Sequence, residues 1–269
     1  MKQITTDNKI FKSEPFLKDS LIFHIIFKNF DSETLMLYSD EENYLICRGA
    51  KHLPTWIWTK DNLSSEILLE IKETLKLYIG DDCCNKFTCK RELYDHFKKD
   101  DFSLLGDSYF EMGFLQCNKT KKPKECDGTM TSPLTHDFDT LAEYWYNDSC
   151  EMDGHSNITY EQAAIDMKKI INNPNFYVWK NCDGKIVCMA EYSVIEKQGR
   201  IGRVYTPPEE RCKGYAANLI YELANKLLNM GVTPILYTDY HYPASNKAYI
   251  NAGFETKAVL INFNCSLNN

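Results

Sequence analysis

The sequence lacks a long apolar run. Its most apolar stretch, residues 21–27, is short and is interrupted by His24, whereas a transmembrane helix needs about 20 consecutive apolar residues. The first twelve residues are polar and contain no apolar core of the kind found in a signal peptide. We therefore expect that this chain neither crosses a membrane nor carries a secretion signal.

Positive charge is in the minority. The chain has 31 Lys and Arg residues against 38 Asp and Glu residues, which gives a net charge of −7. This is the wrong sign for sequence-independent binding to nucleic acid or to an anionic membrane. The nucleotide-binding patterns G-x-x-x-x-G-K-[ST] and G-x-G-x-x-G are also absent. We expect no nucleic-acid or membrane partner, and the acidic balance favours a small basic molecule.

Cysteine is present in an odd number, 11, at irregular spacings and without any C-x-x-C pair. This pattern indicates neither a disulfide framework nor a zinc ribbon. Cys83, Cys84 and Cys89 cluster near His96, but their spacing matches no familiar metal site, so we expect no bound metal. Reduced thiols in the cytoplasm are the simplest interpretation.

A polar stretch with Pro, Gly and several Lys residues occupies positions 118–128 and is typical of a connection between two packed units. We expect an N-terminal mixed α/β domain over 1–118, a linker over 119–128 and a second domain over 129–269. In the N-terminal part, residue patterns predict a hairpin over 35–47, a strand over 54–59, helices over 64–78 and 91–99, and a strand over 109–117.

The second part has alternating signals for helices and strands. Helical periodicity covers 138–146 and 159–171, with Asn157 or Thr159 as the cap of the latter. The turn 181–184 connects two predicted strands. The predicted strands are 176–179, 185–194, 200–205, 235–238 and 254–263, and further helices are predicted over 214–230 and 245–251. This order predicts an α+β fold.

The loop between the predicted strand ending at Tyr205 and the following helix contains an Arg-x-x-Gly-x-Ala core, Arg211 to Ala216. Successive main-chain N–H groups at a helix N-terminus bind phosphate well, and Gly214 allows close approach to the main chain. Arg211 and Lys213 add positive charge. This pattern alone is weak, because a glycine can serve only as a tight connection.

Together with a second segment, the loop resembles the GNAT superfamily of acyl-CoA N-acyltransferases. The first segment reads V-Y-T-P-P-E over 204–209, then Arg211, then K-G-Y-A over 213–216. The matching residues of the second segment are Ser245, Asn246, Tyr249, Gly253 and Phe254. The resemblance covers 129–263 and implies a mostly antiparallel sheet flanked by helices. For the N-terminal half, a degenerate second copy of this fold and an unrelated accessory domain both stay open.

The resemblance implies that acetyl-CoA is the acyl donor and an amine the acceptor. It implies that the acyl and pantetheine groups meet Val204, Tyr205 and Thr206. The residues implied for the pyrophosphate are Arg211, Cys212, Lys213, Gly214, Tyr215 and Ala216. Asn246 would contact pantetheine, and Tyr249 would act as the general acid toward the departing thiolate. Tyr242 and Cys212 depart from the family pattern, which more often has Asn and Gly at these positions.

The general base is less clear from the sequence. Glu191 is a candidate because it interrupts an apolar and aromatic strand, although an outward-facing, solvated Glu is the simpler interpretation. His241 and a chain of water molecules are alternatives. The leading hypothesis is an N-acetyltransferase that acts in a ternary complex, and the alternative is a non-catalytic CoA-binding or partner-binding module. The sequence identifies neither the acceptor nor the oligomeric state.

Overall fold

The computed structural model describes residues 2–80, 84–100, 102–152 and 158–266. The chain forms two compact units. The first unit comprises Met1–Phe114, Asp239–His241 and Lys257–Asn269, and the second comprises Leu115–Thr238 and Tyr242–Thr256. The expected linker 119–128 is thus part of the second unit, and most of the last strand belongs to the first. Cys83 and Asn157 lie outside the described residues.

The helices and strands are numbered in chain order. They are β1 (Lys2–Gln3), α1 (Glu14–Asp19), α2 (His24–Lys28), β2 (Met36–Ser39), β3 (Tyr44–Arg48), β4 (Thr55–Thr59), α3 (Ser65–Leu75), β5 (Lys86–Lys90), α4 (Arg91–Lys99), β6 (Leu105–Gln116), β7 (Thr129–Thr131), α5 (Phe138–Met152), α6 (Tyr160–Ile170), β8 (Phe176–Lys180), β9 (Ile186–Ile195), β10 (Gln198–Tyr205), α7 (Tyr215–Asn229), β11 (Thr233–Asp239), α8 (Pro243–Ala252) and β12 (Glu255–Cys265).

In the first unit, β1 to β4 pair in chain order as antiparallel neighbours, β4 pairs with β5 in parallel, and β5 pairs with β12 antiparallel. The predicted hairpin of β2 and β3 is confirmed. Helix α3 begins after Ser64, whose hydroxyl accepts a hydrogen bond from the N–H of Ile67. Its Ile71 and Leu75 are fully buried, as the helical period predicts.

In the second unit, β7, β8, β9 and β10 pair in this order as antiparallel neighbours, and β10 pairs with β11 in parallel. The predicted α+β element order is confirmed, and β7 is an addition. β7 is a three-residue strand, which is too short to give a recognisable period. Helices α5 and α6 pack on one face of this sheet, which we call the α5 face, and α7 and α8 pack on the other.

Helix α7 follows the predicted boundaries closely. It begins after Gly214 and ends before Gly231, both at positive φ. Leu219, Leu223 and Leu227 are fully buried against the sheet. The helical period of the predicted helix 214–230 puts its last residue, Met230, on the apolar side, and this prediction is wrong, because the side chain is 54% exposed. Met230 is the C-terminal cap residue, where the chain leaves the face that the helical period defines.

The segment 119–128 is packed along the second unit. Lys121 donates its N–H to the carbonyl of Ala252 (3.0 Å), and the amide of Asn218 donates to the carbonyl of Lys124 (2.9 Å). At its end, the hydroxyl of Tyr215 donates to Asp127 (2.8 Å). These bonds connect the segment to both α7 and α8. Polar composition therefore reflects hydrogen bonding at this position rather than a free connection.

Among the described residues, no helix has both the length and the apolar character needed to cross a bilayer.

Candidate functional site

Strands β10 and β11 diverge after a short parallel stretch. The residue pairs run from Gln198 with Thr233 to Arg200 with Ile235. β10 then continues to Tyr205 and β11 to Asp239, and no later pair joins these two strands in the described part of the chain. A gap in the ladder exposes main-chain groups that can bond to an extended ligand.

A β-bulge interrupts β10 beside this gap. Gly202 pairs with Glu191 and Tyr205 pairs with Met189, so three steps on β10 oppose two on β9. Arg203 lies inside the bulge at a φ of +53°, a conformation that costs energy for a residue with a side chain. The bulge re-aims the main chain at Val204, a residue that the resemblance implies for the acyl group.

The bulge is connected to helix α5 by the side chain of Arg203. Its Nη1 lies 3.1 Å from Oδ2 of Asp148 and 3.0 Å from the hydroxyl of Ser149. The guanidinium carbon lies 4.3 Å from the centre of the Trp145 ring. Burial raises the pKa of Asp148, although Arg203 opposes this shift. These contacts support the strained conformation.

The loop after β10 forms the N-terminus of α7. Cys212 and Gly214 have φ angles of +63° and +95°. Among the described residues, no acceptor bonds to the main-chain N–H groups of Cys212, Lys213 or Gly214. The first N–H groups of a helix also lack partners within the helix. This loop therefore presents successive free N–H donors at the positive end of a fifteen-residue helix.

The side-chain cations of this loop are paired with carboxylates. Arg211 bonds to both carboxylate oxygens of Glu151 (2.6 and 2.8 Å) and donates its Nε–H to the carbonyl of Thr206. Lys213 lies 2.8 Å from Glu210, which also bonds to Lys185. In this structure the loop's anion-binding capacity therefore lies in its main chain, while each side-chain charge has a counter-ion.

Tyr249 lies on α8 and is 8% exposed. Its ring packs against Phe254, and no described residue bonds to its hydroxyl. Burial raises the pKa of Tyr249, with smaller contributions from Cys188 and Asp148. The phenol is therefore neutral at physiological pH and can donate a proton. Asn246 lies one helical turn earlier on α8 and is half-buried.

Thr206 follows the bulge, and its hydroxyl oxygen is buried. Burial raises the pKa of the nearby Cys188 thiol to about 12. Tyr205 is buried, and its ring packs at 5.4 Å from the ring of Tyr144 on α5. Tyr215 and Ala216 form the first turn of α7, which continues the donor loop.

Glu191 lies on β9 opposite Gly202 and is half-buried. Its neighbours Ala190 and Tyr192 belong to the core on the α7 side, so strand alternation puts Glu191 on the α5 face. His241 belongs to the first unit. There its Nε2 lies 3.1 Å from Oε2 of Glu111, which also bonds to Arg91.

Sequence reasoning missed three residues of this site: Asp148, Arg200 and Arg203. Asp148 is 5% exposed on an otherwise apolar helix face, and charged residues are rarely buried unless they are paired. A carboxylate on the apolar stripe of 138–152 could therefore have drawn attention. The bulge itself has no sequence signal, because Arg203 is not a residue that favours positive φ.

Residues 139–254 match the model of a protein family described as "Acetyltransferase (GNAT) family". No curated protein matches the chain.

Solved structures of similar fold cover most of the chain. An acetyltransferase of the GNAT family from Colwellia psychrerythraea is 13% identical, with 98% of this chain and 99% of that chain covered and a TM-score of 0.58. A GCN5-related N-acetyltransferase from Sphaerobacter thermophilus is 14% identical (87% and 82% covered, TM-score 0.61). One from Kribbella flavida is 11% identical (95% and 97% covered, TM-score 0.61). At these identities the likeness concerns the fold, and it extends to the first unit.

Proposed function

We propose that this chain, whose residues 139–254 match the model of the GNAT acetyltransferase family, transfers the acetyl group of acetyl-CoA to an amine. The observation that carries the proposal is the row of unbonded N–H groups at Cys212, Lys213 and Gly214, which precedes α7. A pyrophosphate has the charge and the acceptor oxygens that such a row binds.

The remaining residues fit the rest of this donor. The gap between β10 and β11 begins at Arg200 and leads along the strand to Val204 and the loop. A pantetheine arm contains amide groups, and an unpaired strand edge can bond to them as it would to a neighbouring strand. In this proposal the pantetheine arm contacts Tyr205, Thr206 and Asn246.

The reaction would form a bond between the amine nitrogen and the acetyl carbon while the bond from that carbon to sulfur breaks. The N–H of Val204, at the bulge, would donate to the carbonyl oxygen as that oxygen gains charge. Tyr249 would protonate the leaving sulfur. An ammonium acceptor loses two protons in total: the first passes from the amine by way of Glu191 and solvent to Tyr249, where it replaces the proton given to sulfur, and the second leaves to solvent. Glu191 is the proposed group that removes the first.

The test is calorimetry of acetyl-CoA binding to the wild type and to Gly214→Glu. The substitution adds a negative charge where we propose that the pyrophosphate binds. The matched control is Gly184→Glu, because Gly184 also has a positive φ and open space around it but lies in the turn before β9. We expect binding by the wild type and the control and none by Gly214→Glu.

Release of the CoA thiol with a panel of amines separates the two functional hypotheses. Thiol release that depends on an amine supports an N-acetyltransferase. Binding of acetyl-CoA without thiol release from any amine supports the non-catalytic CoA-binding module. Absence of acetyl-CoA binding by the wild type would overturn both hypotheses.

A cytoplasmic location is also part of the proposal. The ten described cysteines are free thiols, and this agrees with a reducing compartment. Measurement of free thiols in protein isolated under anaerobic conditions tests this.

A further inference from the structure

The α5 face of the sheet has an open space over Gly202. Ile201 packs into the core on the α7 side, so a side chain at position 202 would project to the α5 face. A Cβ atom placed there would meet only one atom within 4 Å, Nη2 of Arg200 at 4.0 Å. Buried sheet faces are usually filled to high density. We call this space the Gly202 recess.

Arg200 forms one wall of the recess. Its guanidinium lies over the ring of Tyr237, with its carbon 5.6 Å from the ring centre. Its Nε is buried and has no hydrogen-bond partner among the described residues. Burial lowers the pKa of Arg200. Protein groups around this cation therefore do not fully compensate for the hydration that it loses on burial. A planar set of donors in this state fits a carboxylate.

The other arginines described near this site, Arg203 and Arg211, have carboxylate partners. Arg203 is bonded to Asp148 and Ser149, and Arg211 is bonded to Glu151. For Arg200, no described carboxylate lies within ion-pair distance. A buried donor without an acceptor is costly. The unpaired Nε–H of Arg200 therefore points to an acceptor that the protein itself does not supply.

Glu191 lies beside the recess on the neighbouring strand β9. It is the cross-strand partner of Gly202, and its charge acts on Arg200, yet the two side chains do not form a direct salt bridge. A molecule that carries both an ammonium and a carboxylate could pair with both side chains. Its carboxylate would bind the guanidinium of Arg200, and its ammonium would bind the carboxylate of Glu191. The bulge at Arg203 and Val204 follows directly along β10.

We propose that the Gly202 recess binds the acceptor, and that the acceptor is an amino acid, with its carboxylate on Arg200 and its amine beside Glu191. This inference rests on the proposed function, because it names the acceptor class of the same site. It also refines the expectation drawn from net charge, which favoured a purely basic molecule. The local cation at Arg200 matters more than the distant acidic surface, because salt screens interactions beyond about 10 Å.

The first experiment compares amino acids with their amides as acceptors. The amide of an amino acid keeps the amine and the side chain but lacks the carboxylate. For each of the twenty pairs, thiol release from acetyl-CoA gives kcat/KM, and calorimetry in the presence of CoA gives binding without turnover. We expect at least one amino acid to exceed its amide by about 100-fold or more in the wild type.

The second experiment uses variants of the recess. Arg200→Gln should reduce the preference for the acid over the amide to about 1 by lowering kcat/KM for the acid alone, and Arg200→Lys should restore part of it. Gly202→Val should fill the recess and abolish binding of the amino acid. All three variants should bind acetyl-CoA as the wild type does. The matched control for loss of one positive charge is Lys168→Gln on the exposed side of α6.

The outcomes separate this inference from the proposed function. Failure to bind acetyl-CoA overturns the proposed function. Acetyl-CoA binding together with equal binding and turnover of acids and amides overturns only the inference, as does an unchanged preference in Arg200→Gln. Absence of binding and turnover for every amino acid in a protein that binds acetyl-CoA also overturns it.

Discussion

Arg203 and Asp148 form an ion pair, with Nη1 3.1 Å from Oδ2, that ties the bulge of β10 to helix α5. The side chain of Asp148 is 7% exposed and that of Arg203 is 31% exposed, so solvent screens only one side of the pair. The pair holds a main-chain conformation at Arg203 that is otherwise unfavourable. By supporting the bulge, the pair acts on the main chain that leads to Val204.

We expect Asp148→Asn to lower the free energy of unfolding by about 1–3 kcal/mol, because it leaves a half-buried guanidinium without its counter-ion. It should also slow acetyl transfer by about tenfold or more, since misplacement of a group that orients the reaction is costly. Urea unfolding and thiol release measure the two effects. Glu143→Gln, on the exposed side of the same helix, is the control, and equal behaviour of the two variants would contradict the role of the pair.

Cys212 offers a test of loop strain. Its φ of +63° is costly for a side-chain-bearing residue and most costly for a β-branched one. We expect Cys212→Gly to match or exceed the wild-type stability by up to about 1 kcal/mol and to keep acetyl-CoA binding. Cys212→Val should lose about 1–2 kcal/mol. Thermal unfolding checks both, and a Val variant as stable as the wild type would contradict the left-handed conformation.

Gly253 tests the packing of the segment 119–128. A Cβ atom at Gly253 would lie 2.6 Å from the carbonyl oxygen of Lys119 and from the N–H nitrogen of Lys121. Gly253→Ala should therefore cost more than about 2 kcal/mol in unfolding free energy, since main-chain atoms must move. Gly184→Ala is the control, because it has a positive φ but open space, and it should cost only about 1 kcal/mol. Similar losses would show that φ alone matters.

Tyr249→Phe tests the proposed general acid. Removal of the hydroxyl should lower kcat by about 10²–10⁴-fold and leave the affinity for acetyl-CoA unchanged, because the ring keeps its contact with Phe254. Single-turnover thiol release and calorimetry measure the two quantities. Tyr221→Phe on α7 should change neither. An unchanged kcat in Tyr249→Phe would exclude this role and shift the proton to another donor.

Asp127 gives a prediction for pH. Hydrogen bonds from Cys182 and then from the hydroxyl of Tyr215 lower the pKa of Asp127 to about 2, from an ordinary value of 3.8. A folded-state pKa below the unfolded value stabilises the protein above about pH 4, and this contribution disappears as the pH falls toward 2. The stability difference between the wild type and Asp127→Asn should therefore shrink between pH 5 and pH 2.5 in urea unfolding. Asp139→Asn, at an exposed site of the same unit, is the matched control for removal of one carboxylate.

The sequence predicted elements whose signals are local. Helix α7 lies between Gly214 and Gly231, and the hairpin of β8 and β9 surrounds a turn that contains Gly184, because helical period, capping and turn residues act over a few positions. The motif residues of the loop 211–216 and of α8 were likewise legible, and the family match over 139–254 agrees with them.

The segment 119–128 shows what composition alone does not convey. The polar composition of 119–128 predicted a linker, yet its hydrogen bonds reach Asn218 and Ala252, far along the chain. That the parts on either side of residue 118 fold independently stays a prediction. Expression of 115–256 alone and measurement of cooperative unfolding would test it.

The sequence by itself determined the order of helices and strands in the second unit and the position of the loop before α7, because both depend on neighbouring residues. Only the tertiary structure decided that Glu151 and Glu210 neutralise the loop cations, that Asp148 supports the bulge at Arg203, and that Arg200 is left without a counter-ion beside the open space at Gly202. These relationships join residues that are distant in sequence or depend on the register between strands. A local sequence pattern does not predict contacts between distant residues or the register between strands.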